Sequence, residues 1–269
     1  MVRIMKRAFR IILLIPVLHL LSVIAVNAQQ SQKLPFGPGE TLSYEGKINK
    51  IIRGIAVADL TFTIETTGKE NQISLKTDAK SKGTLLKLFR FSFLQQYESI
   101  VEQNSFRILK TVKTDVQKDR VRNSEAIFDY TENKVTFTEV NPKEPMRAPR
   151  TIASEIRPDT QDLVSGVYFL RTLPLAVGKV FMINVSDSGL IYQVPVRVTG
   201  RETQKTVLGK VQCFKIEPEI FGNNRLIEQK GSMIIWITDD ERRIPIRSKI
   251  KTELGKLDVK LKSASFGAN

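Results

Sequence analysis

The 269-residue chain holds a single histidine and a single cysteine. The histidine, His19, lies in a segment that reads as a removable leader, so the exported chain would have none. That excludes a Ser-His-Asp triad, a Cys-His pair and His-ligated zinc. A lone cysteine cannot close an internal disulfide. Cys213, in KVQCFKIEPE, reads as an ordinary packed strand residue. The fold must therefore be held by its core, and about 240 residues are enough for one large β domain or two small ones. No spaced D-x-D-x-D-G loop is present, and neither a metal nor a cofactor is expected. No apolar run reaches the roughly 20 residues that a bilayer core requires.

What is present begins with Arg3, Lys6, Arg7 and Arg10, followed by an apolar run from Ile11 to Val26. Val26 and Ala28 are small enough for the −3 and −1 positions of a signal-peptidase site. Residues 1–28 are thus expected to be a signal peptide, leaving an exported, periplasmic protein with no transmembrane segment. The leader holds four positive and no acidic residues, so +10 of the net +14 remains. Outside the cytoplasm nucleic acid is not the expected partner; anionic lipid or an acidic envelope polymer is. A solvated basic surface would need no partner at all.

Residues 29–39, QQSQKLPFGPG, read as a flexible lead-in. Period-2 alternation then dominates. ADLTFTIE sets Leu60, Phe62 and Ile64 against Asp59, Thr61 and Thr63; AIFDYTENKVTFTEV reads as two strands around residues 131–134. In YQVPVRVTG, Pro195 falls on the polar face, which predicts an edge strand or a bulge. Helical spacing predicts a short helix over 83–94 and a second one over 158–175. In the second, Asp159 can cap, Asp162 lies in the first turn, and Leu163, Val164, Val167, Tyr168 and Leu170 form the apolar stripe. The proline-rich stretch 141–158 divides residues 40–266 into two possible halves of one β-rich domain.

Residues 234–261, IIWITDDERRIPIRSKIKTELGKLDVKL, raise the question of catalysis. Met233 to Ile237 is apolar at every position, as in a strand covered on both faces. Asp239, Asp240 and Glu241 followed by two arginines are turn chemistry. Paired catalytic carboxylates would need a defined separation and burial of one of them, which neighbouring acids at an exposed tip lack. With a turn at Leu254-Gly255, Ile250 would face Val259, Lys251 would face Asp258, and Lys249 would face Lys260.

That last segment, together with GETLSYEG, DLVSGVYFLRTLPLAVGKVFMINV, VTGRE and GKVQCFKIEPE, resembles one bacterial envelope family, domain of unknown function 3108. The resemblance spans roughly residues 36–263. It implies no known activity and no catalytic residues. It does imply an exported, mostly antiparallel β protein: a curved sheet or open barrel with one or two short helices packed on it. In outline this is similar to periplasmic lipoprotein carriers such as LolA and LolB.

These observations lead to a non-catalytic envelope protein that binds an apolar or anionic amphiphilic ligand such as lipid. Candidate wall residues are Phe62, Ile64, Phe128, Phe214, Ile216, Trp236, Ile246 and Ile250, all of which could equally be plain core. Arg247, Lys249, Lys251, Lys260 and Lys262 share one strand face and are candidates for contact with an anionic surface. One alternative is a structural or assembly factor that docks another envelope protein or an acidic polysaccharide. Another is a glycan hydrolase that needs no histidine, with Gly200-Arg201-Glu202 and Asp187-Ser188-Gly189 as its other short charged motifs, both expected in turns. A carrier should hold an apolar cavity of several hundred Å³, whereas a scaffold should be filled.

Overall fold

A computed structural model describes residues 34–49, 55–82, 92–253 and 255–267. The expected signal peptide lies outside the described residues, as does most of the helix expected over 83–94, where Phe93 and Leu94 open a strand instead. The described residues form one compact unit.

The fold is mostly β. Among the described residues fifteen strands make one open sheet. They are β1 (Thr41–Asn49), β2 (Ile55–Thr66), β3 (Gln72–Ser81), β4 (Phe93–Glu102), β5 (Ile108–Gln117), β6 (Arg120–Asp129), β7 (Lys134–Val140), β8 (Arg150–Glu155), β9 (Thr160–Gln161), β10 (Val180–Asp187), β11 (Leu190–Thr206), β12 (Gly209–Pro218), β13 (Gly231–Thr238), β14 (Pro245–Thr252) and β15 (Gly255–Ser265). The chain starts at the centre, meanders to the β8 edge, reappears at the β9 edge and meanders back until β15 pairs with β1. Every pairing is antiparallel except the short one between β9 and β10. Four residues separate β8 from β9, so the sheet curls until its two edges approach. β8 reaches across to the β10–β11 turn: Ser154 Oγ donates to Gly189 O at 2.6 Å. Gly189 (φ +84°) sits in the tight β10–β11 turn, and a Cβ there would come within 2.7–2.9 Å of Ile152 and Phe137. Glycine thus allows both the turn and the edge contact.

The helix α1 (Leu163–Thr172) packs against β3, β4, β9 and β10. Its cap is Asp162, not Asp159. Thr160 and Gln161 are held extended by β10, so the helix cannot start earlier. Asp162 Oδ1 accepts from the Val164 and Ser165 amides at 2.9 and 2.7 Å, and Ser165 Oγ accepts from the Asp162 amide in return. Val164 and Tyr168 pack into one core with Ile64, Leu75, Ile108 and Phe128. Leu170 packs into a second core with Val194, Phe214, Ile216 and Ile237.

Three further expectations need correction. The lead-in is packed from Leu34 onward: Phe36 is buried edge-on against Phe106 and Tyr168, because the curled sheet offers this aromatic a core slot. β11 is not an edge strand, since β10 and β12 flank it. Pro195 is tolerated because its N faces the same side as its carbonyl, which accepts from Glu219 just past the end of β12. The β11 bulge lies between Val198 and Gly200. Finally, the β14–β15 register is offset by two residues. Ile250 faces Leu257, Lys249 faces Asp258 and Arg247 faces Lys260, because Thr252 already pairs with Gly255. The offset is even, so each side chain keeps its expected face and only its partner changes.

Candidate functional site

The apolar stripe of α1 contains a charge. Arg171 lies on the same side of the helix as Val164, Val167 and Tyr168, and its side chain is 0% exposed. Its fork meets Glu40, itself 3% exposed, with Nη1 to Oε1 at 2.5 Å and Nη2 to Oε2 at 2.8 Å. Nη2 also donates to Arg242 O at 2.9 Å. The guanidinium lies 4.7 Å from the Phe36 ring centroid and 5.3 Å from that of Tyr168. A pair so buried persists because both charges are matched and hydrogen-bonded. It ties the start of β1 to the end of α1.

Beside this pair a cavity of about 160 Å³ opens under the helix. Leu42 and Tyr44 (β1), Leu60 and Phe62 (β2), Met233 and Ile235 (β13), Ser248 and Ile250 (β14) and Val259 (β15) line its sheet side. Val167, Tyr168 and Arg171 form its roof. The wall is almost wholly apolar, and the volume is of the order that admits a benzene-sized guest. It is smaller than the several hundred Å³ expected of a carrier. Burial pushes the hydroxyls of Tyr44 and Tyr168 far above their usual pKa, so both are neutral donors. Tyr44 Oη donates to Pro245 O at 2.7 Å.

The concave face also has a polar cleft of about 50 Å³, with Tyr97, Lys113, Asp115, Arg122, Glu139 and Asp187 on its walls. Several of its ions are paired: Asp115 takes Arg120 at 2.8 Å, and Arg122 lies 3.6 Å from Glu139. A more open groove of about 600 Å³ runs past Arg107, Tyr130 and residues 155–161, with mixed lining.

Of the eight wall candidates, Phe62 and Ile250 line the apolar cavity. Ile64 and Phe128 are packed in the first core, Phe214 and Ile216 in the second. Ile246 is buried in a third cluster with Leu42, Tyr44 and Leu261. Trp236 is on the opposite face from the cavity. It pairs with Arg247, whereas its neighbour Ile235 pairs with Ser248 in the wall. Met233 to Ile237 is therefore covered on both faces, as the unbroken apolar run implies. Beyond its bulge the β11–β12 hairpin supplies the outer cover: Glu202 accepts from Trp236 Nε1 at 3.1 Å. Gly200-Arg201-Glu202 is accordingly strand and not turn, whereas Ser188-Gly189 is a turn.

On that outer face Lys249, Lys251, Lys260 and Lys262 are exposed, and Arg247 is not free. Arg247 grips Asp258 with two bonds of 2.7 and 2.6 Å and lies 5.4 Å from the Trp236 ring. Burial would raise the Asp258 carboxyl, but the Arg247 fork outweighs it and, with Lys260 and Lys249, holds the group below its usual pKa. Asp258 is not the sole acid here: Glu45 pairs across from Lys260.

Asp239, Asp240 and Glu241 do form the β13–β14 turn. Asp240 Oδ1 accepts from the amides of Arg242 and Arg243 and from Thr238 Oγ1. Asp239 is less exposed than a tip residue should be, because Arg201 and Arg243 both pair with it. Cys213 is buried, which pushes its thiol up to about 11. Among the described residues no group of three or more His, Cys, Asp or Glu could hold a metal.

The family model for proteins of unknown function DUF3108 matches residues 41–262. The chain belongs to this family. A beta-barrel-like protein of domain of unknown function DUF1849 from Brucella abortus aligns with a TM-score of 0.59 at 10% identity, covering 87% of this chain and 99% of that one. This likeness is one of fold. A Bacteroides fragilis protein with a YmcC-like fold aligns at a TM-score of 0.32 and 10% identity, over 86% of this chain and 98% of that one. No curated protein matches. In this DUF3108 chain, three of the segments that carry the family resemblance meet at the apolar cavity: GETLSYEG brings Leu42 and Tyr44, DLVSGVYFLRTLPL brings Val167, Tyr168 and Arg171, and the RIPIRSKI part of the last brings Ser248 and Ile250.

Sequence reasoning missed Glu40, Tyr168, Arg171 and Ser248 as site residues. One signal was available. An arginine on the apolar stripe of a helix implies a buried partner, because such a charge is not tolerated alone.

Proposed function

We propose that this DUF3108 protein is an exported, non-catalytic binding protein of the cell envelope that takes an apolar or amphiphilic ligand into the cavity under α1. The observation behind this reading is the cavity itself: an almost wholly apolar concave wall beside a closed ion pair, roofed by one helix. A cavity of this size suits a single chain segment, and each methylene buried contributes about 0.8 kcal/mol. Asp239 is taken by arginines and Asp240 by the turn, which supports binding over hydrolysis. The basic leader and the small residues at its end support export.

The test is binding of the neutral fluorescent probe N-phenyl-1-naphthylamine. The wild-type protein should enhance its emission saturably. Ile250→Trp, which fills the cavity, should abolish the enhancement while the protein still melts cooperatively. Saturable binding unchanged in the filled variant would refute the site.

The outer face suits contact with an anionic lipid surface. Lys251 and Lys262 are exposed there beside Lys249 and Lys260. Each such lysine contributes about 1 kcal/mol near an anionic bilayer. The protein should therefore float with vesicles containing phosphatidylglycerol at low salt, and Lys251→Glu with Lys262→Glu should release it. Equal flotation of both proteins would leave the lysines only a solubilising role.

A further inference from the structure

Among the described residues, six buried side-chain polar atoms have no hydrogen-bond partner in the protein. Three of them, Tyr168 Oη, Arg171 Nε and Ser248 Oγ, belong to residues that line the apolar cavity under α1. A buried donor without a partner is costly, and each such atom calls for a partner that the protein itself does not supply. All three can donate: Tyr168 stays protonated, Arg171 Nε always carries its proton, and Ser248 is a hydroxyl. The site therefore asks for a hydrogen-bond acceptor inside an otherwise apolar space.

The charge balance narrows the acceptor. Arg171 is the charged side chain in the cavity roof; Arg247 also borders the cavity, but its guanidinium is on the outer face against Trp236. Glu40 holds the first through both carboxylate oxygens, and Asp258 does the same for the second. Neither offers an uncompensated positive charge. A free carboxylate would enter with its own charge unmatched, which burial penalises strongly. A neutral carbonyl accepts the same hydrogen bonds without that penalty.

We propose that the ligand of this cavity is an uncharged acyl ester or amide, with its carbonyl oxygen held by donors among Tyr168, Arg171 and Ser248 and its hydrocarbon against Phe62, Ile250 and Val259. This rests on the binding function proposed above and adds the chemical class of the ligand.

The experiment is competition against bound N-phenyl-1-naphthylamine at neutral pH, with methyl octanoate and sodium octanoate as competitors. The ester should displace the probe at a concentration about tenfold or more below that of the carboxylate. Tyr168→Phe and Ser248→Ala, singly and together, should narrow that gap. Tyr168→Phe should also leave the melting temperature of the free protein unchanged or raised, since the hydroxyl it removes has no partner; a purely structural tyrosine would not behave so. Equal or better displacement by octanoate would overturn the ester assignment and leave binding intact. Equal displacement by the ester in wild type and in the double variant would overturn the donor assignment. Saturable probe binding that neither competitor disturbs would overturn this inference alone, whereas no probe binding at all would overturn the binding function as well.

Discussion

The two ends of α1 each bury one charge, and they treat it differently. At the N-terminal end Asp162 Oδ1 accepts two helix amides, and Oδ2 accepts Ser99 Oγ at 2.5 Å and Thr111 Oγ1 at 2.6 Å. The acid sits where the helix dipole favours it, and both of its oxygens are occupied. At the C-terminal end Arg171 has its fork filled by Glu40 and a carbonyl, yet its Nε is unanswered, as is the nearby Tyr168 hydroxyl. The first end is closed and fixes the helix on β4 and β5. The second fixes the helix on β1 and leaves donors beside an apolar space. Buried charge is common to both; what distinguishes the second end is its unfinished hydrogen bonding.

The strongest way to break this contrast is at Glu40. Replacing Glu40 with Ala leaves Arg171 charged and unpaired in the interior, which should cost about 3–5 kcal/mol. For a domain of this size that lowers the melting temperature by roughly 2–4 °C per kcal/mol. Thermal unfolding followed by circular dichroism measures it. The double replacement Glu40→Gln with Arg171→Met should recover much of the loss, since two matched neutral side chains need no counter-charge. A Glu40→Ala loss below about 1 kcal/mol would mean that the pair is hydrated in solution, and the cavity with it.

Much of this architecture is legible in the sequence, for local reasons. Alternation in ADLTFTIE and RIPIRSKIK reports which face is covered, and the unbroken run at 233–237 reports the strand with two covered faces, because side-chain direction is fixed by the strand period. The turn at 239–241 follows from its residue types. What is not legible depends on contacts between distant segments. The β14–β15 partners change by two residues without altering any face, so no hydrophobic pattern distinguishes the two registers. Trp236 looks like a ligand wall, but its cover is a hairpin arm that leaves β11 after a bulge at Val198. Glu40 and Arg171 are 131 residues apart; only the charge in the apolar stripe hints that they meet. The packing of Phe36 is hidden for the same reason: QKLPFGPG has the composition of a loop, and its slot is made by Phe106, ahead of β5, and Tyr168 of α1.

A smaller effect is expected at the closed end, and it sharpens the comparison. Asp162→Ala removes the acceptor of two helix amides and of two buried hydroxyls. A lost cap costs about 1 kcal/mol, and hydroxyls left without a partner add to it, so about 2–3 kcal/mol is expected in total. Asp162→Asn keeps a carbonyl oxygen for the amides and sets an NH2 group against Ser99 and Thr111, whose oxygens can accept from it; about 1 kcal/mol should be lost. Chemical denaturation of the two variants measures both. Neither should change the affinity for N-phenyl-1-naphthylamine, because nine helical steps, about 13 Å, separate Asp162 from Arg171. The pairing of a stability loss with unchanged binding is the signature of a structural anchor. If Asp162→Asn weakened the probe as much as Ile250→Trp does, the two ends of α1 would belong to one site, and the assignment of binding to the Arg171 end would fall.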